Sequence, residues 1–314
     1  MALARSTRRG VIVAAGGLLA SLRDGRAAPT MATVVGTTAL AVLPCPPREC
    51  DPPLEAVSLL PLGAEVELVD GAQPAEGANG RFVRVRAANS EGYAQDWYLR
   101  EDGHAAPYLR QGAAGCRRLA LIFNVGVGFE PDLGILDTLD AKATPATMFV
   151  MGWWADRHPG ALQRMVKAGY TIGSHGYDAV ELPELDDAAV AEDLFASAAA
   201  IEHAIGQPPA RLFTPYSAAI DERVRTVVAN RGFLPVAWTV SGADYGPDVT
   251  EHDVYDHVMA DIHDGALIEL HLDGPASAES TGRALPRLID RFRADGFRLV
   301  SVPDLLLPCG PNGA

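Results

Sequence analysis

The feature that most constrains the fold of this chain is an apolar run over residues 119–123, which ends at Asn124, Val125 and Gly126. A run of this length, bounded by turn residues and followed by a helical pattern, is typical of a buried parallel strand. In barrels and open sheets of parallel strands, the functional groups collect at the carboxyl ends of the strands. We therefore expect Asn124, Val125 and Gly126 to lie in the functional site.

Short apolar runs alternate with amphipathic stretches from this strand to the end of the chain. Further strands are predicted over residues 146–150, 170–175, 212–215, 235–240, 266–271 and 298–302. Helices are predicted over residues 131–139, 159–168, 186–205, 221–231, 251–262 and 281–295. Repeated strand–helix units predict an α/β domain built on a parallel barrel or a wound sheet.

The first third of the chain has a different pattern, without a helical period. Residues 65–69 and 81–86 alternate apolar with charged side chains, which is typical of half-buried antiparallel strands. A polar stretch rich in glycine and alanine then precedes residue 116. We predict a small all-β barrel over residues 31–101, a linker over residues 102–115 and the α/β domain over residues 116–310.

Residues 1–30 have the organisation of an export signal. Arg5, Arg8 and Arg9 precede an apolar run over residues 11–22, and small residues follow near Ala27 or Ala32. Paired arginines ahead of such a run also resemble a twin-arginine signal. We therefore predict a cleaved signal peptide and a periplasmic, extracellular or cell-envelope protein. A basic tail or a retained anchor stays open, because charged residues 23–26 are unusual before a cleavage site.

Charge and composition limit the classes of partner. The 314-residue chain carries a formal net charge of -14 at pH 7. Such a chain repels polyanions, so nucleic acid and anionic lipid surfaces are poor partners, whereas a neutral polysaccharide is compatible. The leader run is too short to span a bilayer comfortably, so no integral membrane span is predicted.

Four cysteines in an exported chain allow two disulfides in three possible pairings. Cys45 and Cys50 flank one loop, whereas Cys116 precedes the first predicted strand of the α/β domain and Cys309 follows its last. The most local pairing joins Cys45 to Cys50 and Cys116 to Cys309. The alternative is that all four are unpaired, small buried side chains.

The α/β domain resembles the polysaccharide deacetylases, also called the NodB-homology domain or carbohydrate esterase family 4. Residues 142–152 resemble the KATFFVIG strand of the family, residues 169–175 resemble its GHEIGNH segment, and residues 283–302 resemble its closing helix and strand. The resemblance implies a distorted (β/α) barrel. Residues 39–42, 62–66 and 92–99 resemble the bacterial Src-homology-3-like domain, which commonly tethers exported enzymes to cell-wall polymers. Trp97 and Tyr98 either serve that surface or close the barrel core.

The deacetylase family uses one divalent metal, held by an Asp and two His, to polarise an acetyl carbonyl and activate water. Matched to its motifs, this chain has Asn124 in place of the base and Val125 in place of the metal carboxylate. His175 matches the first histidine ligand, but Ala179 stands at the second. A catalytic zinc needs three protein ligands, so no metal is expected. The alternative is one zinc ion held weakly by His175 and Asp178.

Later motifs are altered as well. Phe213 and Ser241 stand where the family has an Arg and its partner Asp, whereas His271 occupies the position of the general acid. Asp244 is a candidate partner of His271. Candidate sugar-binding aromatic residues are Tyr216, Trp238 and Tyr245.

Three functions follow from these positions. The first is an exported, metal-free pseudoenzyme that binds cell-wall polysaccharide, peptidoglycan or a partner protein with its cleft. The second is an active hydrolase that removes acetyl groups from N-acetylated polysaccharide with a rearranged site, built on His175 and Asp178 or on His271 and Asp244. The third is a structural envelope protein that binds no sugar.

Overall fold

The computed structural model describes residues 29–47, 49, 55–69, 81–307 and 309. The predicted export signal, apart from its last two residues, and the predicted bridge partner Cys50 lie outside the described residues. In the described part, no helix is long and apolar enough to cross a membrane.

The first third of the chain forms antiparallel sheets. Its strands are β1 (Thr30–Val34), β2 (Ala39–Val42), β3 (Ser58–Pro61), β4 (Glu65–Leu68), β5 (Phe82–Ala87), β6 (Ser90–Gln95) and β7 (Leu99–Glu101). Five of them form one sheet in the order β6-β5-β4-β1-β7, and β2 pairs with β3. Alternate residues of β4 and β5 point inward, because Val66, Leu68, Val83 and Val85 share one core. The antiparallel character is confirmed, and the likeness to a Src-homology-3 domain stays a prediction.

The second domain is built on a sheet of eight parallel strands. They are β8 (Arg118–Val125), β9 (Thr147–Val150), β10 (Thr171–Ser174), β11 (Leu212–Phe213), β12 (Leu234–Pro235), β13 (Val240–Ser241), β14 (Leu267–His271) and β15 (Arg298–Val300). The order is β12-β11-β10-β9-β8-β14-β13, with β15 also paired to β8. Every residue of β8 is buried. The apolar run around which the sequence is organised is therefore the central strand of a curled half-barrel.

Helices cover the outside of this sheet. They are α1 (Leu133–Ala141), α2 (Gly152–Arg157), α3 (Pro159–Lys167), α4 (Asp187–Ile205), α5 (Glu222–Asn230), α6 (Glu251–Asp261), α7 (Thr281–Ala294) and α8 (Val302–Leu306). The helices expected from the 3.6-residue period are confirmed to within two residues at each end. Sequence reasoning missed α2 and α8, which are only six and five residues long.

The predicted strand over residues 235–240 is wrong, because the chain makes two short strands there. After Pro235, the backbone N–H of Ala237 donates to Leu109 O at 2.7 Å instead of continuing the ladder. The chain rejoins the sheet at Val240, where β13 pairs with β14. The interruption turns Trp238 toward the carboxyl end of the sheet, where it borders a cleft.

Part of the predicted linker packs against the α/β domain. Leu109 is fully buried and forms a parallel bridge with Val236, and Gln111 forms an antiparallel bridge with Ala266. Residues 109–111 therefore lie between the outer strand β12 and the start of β14. Because these bridges use backbone groups, the polar composition of the segment gave no sign of them.

The two domains share a core. Trp97 is 1% exposed and packs in one cluster with Leu234 and Val302 of the second domain, together with Leu109 of the connecting segment. The N–H of Gly36 also donates to Ala229 O at 2.8 Å. Of the two roles considered for Trp97, the structure therefore favours closing a core over presenting a surface for sugar.

A disulfide joins the two ends of the α/β domain. Cys116 and Cys309 are bonded, with their Cα atoms 5.2 Å apart. This is the pairing expected from their positions outside the first and last strands. The bridge holds the C-terminal tail beside the start of β8, where Arg118 donates to the backbone oxygen of Asp304 at 2.7 Å.

Candidate functional site: a cleft with a buried carboxylate and imidazole cluster

A cleft opens at the carboxyl ends of the parallel strands and has a volume of about 530 Å³. This size lies within the range of small-molecule sites. It is lined by polar, small and aromatic residues: Asn124, Gly126, Val127, His175, Tyr216, Ser217, Ala218, Trp238, Ser241, Tyr245, Glu269 and His271.

The positions expected to carry the family's metal chemistry are dispersed in the structure. Asn124 lines the cleft, but Val125 packs into the main core beside Met148 and Met151. Ala179 and Asp178 are exposed and are not among the residues that line the cleft. Of these positions, the cleft therefore receives only the amide of Asn124 and the imidazole of His175.

Positions 213 and 241, where the family has an Arg and its partner Asp, also lie in different surroundings. Phe213 is fully buried in an apolar cluster with Leu194 and Val224. Ser241 faces the cleft, where its hydroxyl donates to Glu269 Oε2 at 2.6 Å. The side chain at the arginine position is thus part of the core, whereas Ser241 at the aspartate position contacts the carboxylate of Glu269.

His175 is hydrogen-bonded to Thr214 through Nδ1 of its ring. Its Nδ1 lies 3.0 Å from the backbone oxygen of Thr214 and 2.8 Å from Thr214 Oγ1. Burial lowers the pKa of His175 to about 3, although the bond to Thr214 opposes this, and the charge of His271 lowers it further. His175 is therefore neutral at physiological pH.

His271 and Asp244, predicted as a pair, are in direct contact. His271 Nδ1 lies 2.7 Å from Asp244 Oδ1, and the backbone N–H of His271 donates to Asp244 Oδ2 at 2.9 Å. Thr281 at the start of α7 also donates its hydroxyl proton to Asp244. Asp244 thus fixes the orientation of the imidazole and is itself fully buried.

Glu269 is the residue of this site that the sequence analysis missed. It is 3% exposed, and its Oε1 lies 3.1 Å from His271 Nε2. A signal for it existed, because residues two apart in a strand share one face, and His271 follows Glu269 at that spacing. Glu269 is also the register partner of Ser241 across β13 and β14. A buried carboxylate therefore lies in the cleft beside His271.

The imidazole of His271 lies between two carboxylates, which determines its charge. Burial alone lowers the pKa of His271, but the hydrogen bond and charge of Asp244 and the charges of Glu269 and Asp273 raise it to about 9. Burial raises the pKa of Glu269, and the charge of His271 opposes that shift. His271 is therefore an imidazolium at neutral pH and compensates charge that burial would otherwise make costly.

The ligand set that the resemblance implies is incomplete in this cleft, because Val125 and Ala179 supply no ligand. A different group lies close enough to share one ion, since ligand atoms of Asp244, Glu269 and His271 are within 4.8 Å of one another. Asp244 contacts Nδ1 of His271 and Glu269 contacts Nε2, so carboxylates already engage both ring nitrogens. The positive charge among these groups is that of the His271 imidazolium.

Aromatic side chains form the walls of the cleft. The Tyr216 ring lies 6.5 Å from the imidazole of His175, and the Tyr245 ring lies edge-on at 6.0 Å from that of His271. Tyr245 is 62% exposed, whereas Trp238 is half-buried against a core cluster. Exposed and half-exposed rings beside polar groups suit the apolar faces and polar edges of a sugar.

The loops around the cleft are held in an unusual backbone conformation. Of the five non-glycine residues with positive φ in the described part, Ser217, Ala218 and Ala243 lie on these loops. Such conformations cluster at functional sites, where the surrounding structure maintains them. Asp273, also missed from the sequence, holds the loop after β8 by accepting from the backbone N–H groups of Gly126, Val127 and Gly128.

A curled parallel sheet with a polar cleft at the carboxyl ends of its strands is the architecture of α/β enzymes. Within this class, residues 111–236 match the family model for polysaccharide deacetylase. The chain is 28% identical over 203 residues to a chitooligosaccharide deacetylase of Bradyrhizobium sp., covering 61% of this chain and 92% of that protein. It is also 28% identical over 191 residues to the uncharacterized protein YlxY of Bacillus subtilis, covering 60% of this chain and 57% of that protein.

A solved structure shares the fold at lower identity. It is a carbohydrate esterase family 4 pseudoenzyme from Bacillus anthracis, with a TM-score of 0.59 and 24% identity over 64% of this chain and 69% of that one. A mutant of that protein is described as having restored enzymatic activity. The α/β domain is thus similar to polysaccharide deacetylases in sequence, and its fold is similar to that of the solved structure.

Proposed function

We propose that this protein is an exported member of the polysaccharide deacetylase family that binds N-acetylated cell-wall glycan without metal-dependent deacetylation. One observation carries the proposal: Val125 and Ala179 supply no metal ligand at two of the family's ligand positions, while Tyr216, Trp238 and Tyr245 line the cleft. The cleft therefore has groups that can hold a sugar and lacks the family's ligand set for the ion that activates water.

The relatives indicate the ligand class. The names of two relatives, a chitooligosaccharide deacetylase and a Bacillus cereus peptidoglycan-N-acetylglucosamine deacetylase, describe enzymes that act on N-acetylated glycans. The pseudoenzyme from Bacillus anthracis shows that this fold also occurs in a protein described as inactive. Export rests on the leader pattern of residues 1–30, and the N-terminal domain is proposed to hold the protein at the cell wall.

One observation favours a second candidate, a metal-free hydrolase. Glu269 and His271 form an acid–base pair, with 3.1 Å between carboxylate and imidazole, inside the cleft. In this scheme, Glu269 takes a proton from a water that attacks the acetyl carbon, and His271 protonates the leaving amine. The products are acetate and a free amine. The contact between Glu269 and His271 would have to open first.

Titration of chitotetraose, with acetate measured in the same samples, tests the proposal. We expect saturable binding without acetate release, and roughly tenfold weaker binding in Tyr216→Ala and Tyr245→Ala. Phe195→Ala is the matched control, because Phe195 is an exposed ring on α4 that does not line the cleft.

Other outcomes would decide against this proposal. Acetate release that persists in a chelator and disappears in Glu269→Gln would favour the metal-free hydrolase. Release that requires added zinc or cobalt would contradict both candidates. Absence of binding by the wild type would leave the structural envelope protein as the remaining reading.

A further inference from the structure

The direction of the hydrogen bonds in the cleft is fixed at one end by a backbone carbonyl. The oxygen of Thr214 accepts from His175 Nδ1 at 3.0 Å, and a carbonyl oxygen has no proton to give. Nδ1 therefore carries the proton of the neutral imidazole. The other nitrogen, Nε2, is left with a lone pair and is an acceptor.

The donors and acceptors of the other hydrogen bonds in the cleft follow from this assignment. The hydroxyl of Thr214 donates to Asn124 Oδ1 at 3.0 Å, so the amide NH₂ of Asn124 is the donor toward Glu269. Ser241 donates to Glu269 Oε2 at 2.6 Å, and Nε2 of the His271 imidazolium donates to Glu269 Oε1. The carboxylate of Glu269 is thus surrounded by donors and has its acceptor capacity used inside the protein.

His175 Nε2 is different, because the described residues provide no hydrogen-bond partner for it. The side chain is 94% buried, yet it lines the cleft, so this nitrogen borders the space that a ligand would fill. The low pKa of His175 keeps Nε2 unprotonated at neutral pH. An unprotonated ring nitrogen at the border of the cleft is an acceptor that a ligand donor can use.

We infer that His175 Nε2 is the acceptor that recognises the ligand, and that it takes an uncharged N–H or O–H group of the sugar. The inference rests on the proposed function and assigns a role to a side chain that no longer has metal co-ligands. A single imidazole does not hold zinc, whereas it does orient one donor. Tyr216 lies beside it, so a saccharide stacked on that ring has its polar edge next to Nε2.

Two substitutions separate recognition by Nε2 from a structural role of Nδ1. His175→Asn keeps an amide N–H near the position of Nδ1, which preserves the bond to Thr214, but removes the acceptor at the ε position. His175→Gln places an amide group near the ε position. In titrations with chitotetraose, we expect His175→Asn to bind at least tenfold more weakly than wild type and His175→Gln to stay within about threefold.

The opposite order, or equal binding by His175→Asn and wild type, would overturn the inference while wild-type binding still supports the proposed function. Absence of wild-type binding would overturn both. Thermal unfolding of both variants shows that each is folded before its affinity is compared.

Nitrogen NMR of the free protein provides a test that needs no ligand. Long-range proton–nitrogen correlation spectra are expected to show His175 protonated at Nδ1 and unprotonated at Nε2 at pH 7. Addition of chitotetraose is expected to move the Nε2 resonance in the direction of a hydrogen-bonded acceptor. A proton on Nε2 in the free protein would contradict the inference directly.

Discussion

At the scale of single residues, the cleft has exchanged one arrangement of charge for another. The family motifs place a carboxylate at position 241, and this chain has Ser241 there, with Glu269 opposite it in the register of β13 and β14. A carboxylate therefore lies on the neighbouring strand, within hydrogen-bond distance of Ser241. The positive charge beside it comes from His271, which Asp244 orients.

Removal of the imidazolium tests this arrangement. His271→Gln leaves Asp244 and Glu269 as buried carboxylates without a cation, and we expect a loss of roughly 3 to 5 kcal/mol in the free energy of unfolding. The double variant His271→Gln with Glu269→Gln should regain part of this loss, because one of the two charges is then gone. Urea unfolding of the wild type, both single variants and the double variant measures the coupling. Additive effects would contradict the compensation.

The pH dependence of stability follows from the same residues. The pKa of His271 is raised from 6.5 to about 9 on folding, so its contribution is complete below pH 6.5 and is lost as the pH rises through about 9. This contribution is on the order of 3 kcal/mol. The pKa of His175 is lowered to about 3, so stability falls as the pH decreases from 6.5 toward 3.

Measurement of the free energy of unfolding from pH 4 to pH 9.5 tests the pH dependence predicted for both histidines. The difference in the free energy of unfolding between wild type and His271→Gln should shrink between pH 6.5 and 9. The loss of stability at acidic pH should be smaller in His175→Asn than in the wild type. A difference between wild type and His271→Gln that does not change with pH would contradict the assignment of an imidazolium.

At the scale of elements, local sequence patterns predict the α/β domain well. Strand β8 and helix α4 were placed to within two residues, because a buried strand and an amphipathic helix carry their own periodicity. Residues 235–240 could not be predicted, since the break after Pro235 depends on a backbone bond to Leu109, more than a hundred residues earlier. The contact between Glu269 and His271 follows from their spacing of two on β14, whereas the contact between Glu269 and Ser241 depends on which strands are neighbours, which no local pattern shows.

The segment around Leu109 is expected to be an integral part of the barrel. Leu109→Ala removes a fully buried side chain from the cluster that contains Leu234 and Val236, and we expect a cost of about 2 to 5 kcal/mol. Leu307→Ala is the matched control, because that side chain is 54% exposed and should cost less than about 0.5 kcal/mol. Chemical denaturation compares the two. Equal, small effects would show that residues 102–115 are a linker, as the sequence predicts.

At the scale of the whole molecule, the two domains are joined by a shared core. The cleft lies at the carboxyl ends of the parallel strands, which is the end of the sheet opposite the start of β8. The composition of the chain predicts two domains, but it does not predict that Trp97 packs among residues of both. The net charge of -14 disfavours polyanions as partners and is compatible with a neutral glycan. The molecule thus combines a deacetylase fold with a cleft whose internal cation is a proton on histidine.

Calorimetric titration of chitotetraose into the full chain, once in EDTA and once in excess zinc, tests most directly whether the cleft binds glycan without a metal. Because the cleft offers aromatic walls and hydrogen-bonding groups, and Val125 and Ala179 stand at two of the family's ligand positions, we expect the same affinity in both buffers and no release of acetate. Binding that appears only with zinc, or acetate produced only with zinc, would contradict metal-free binding.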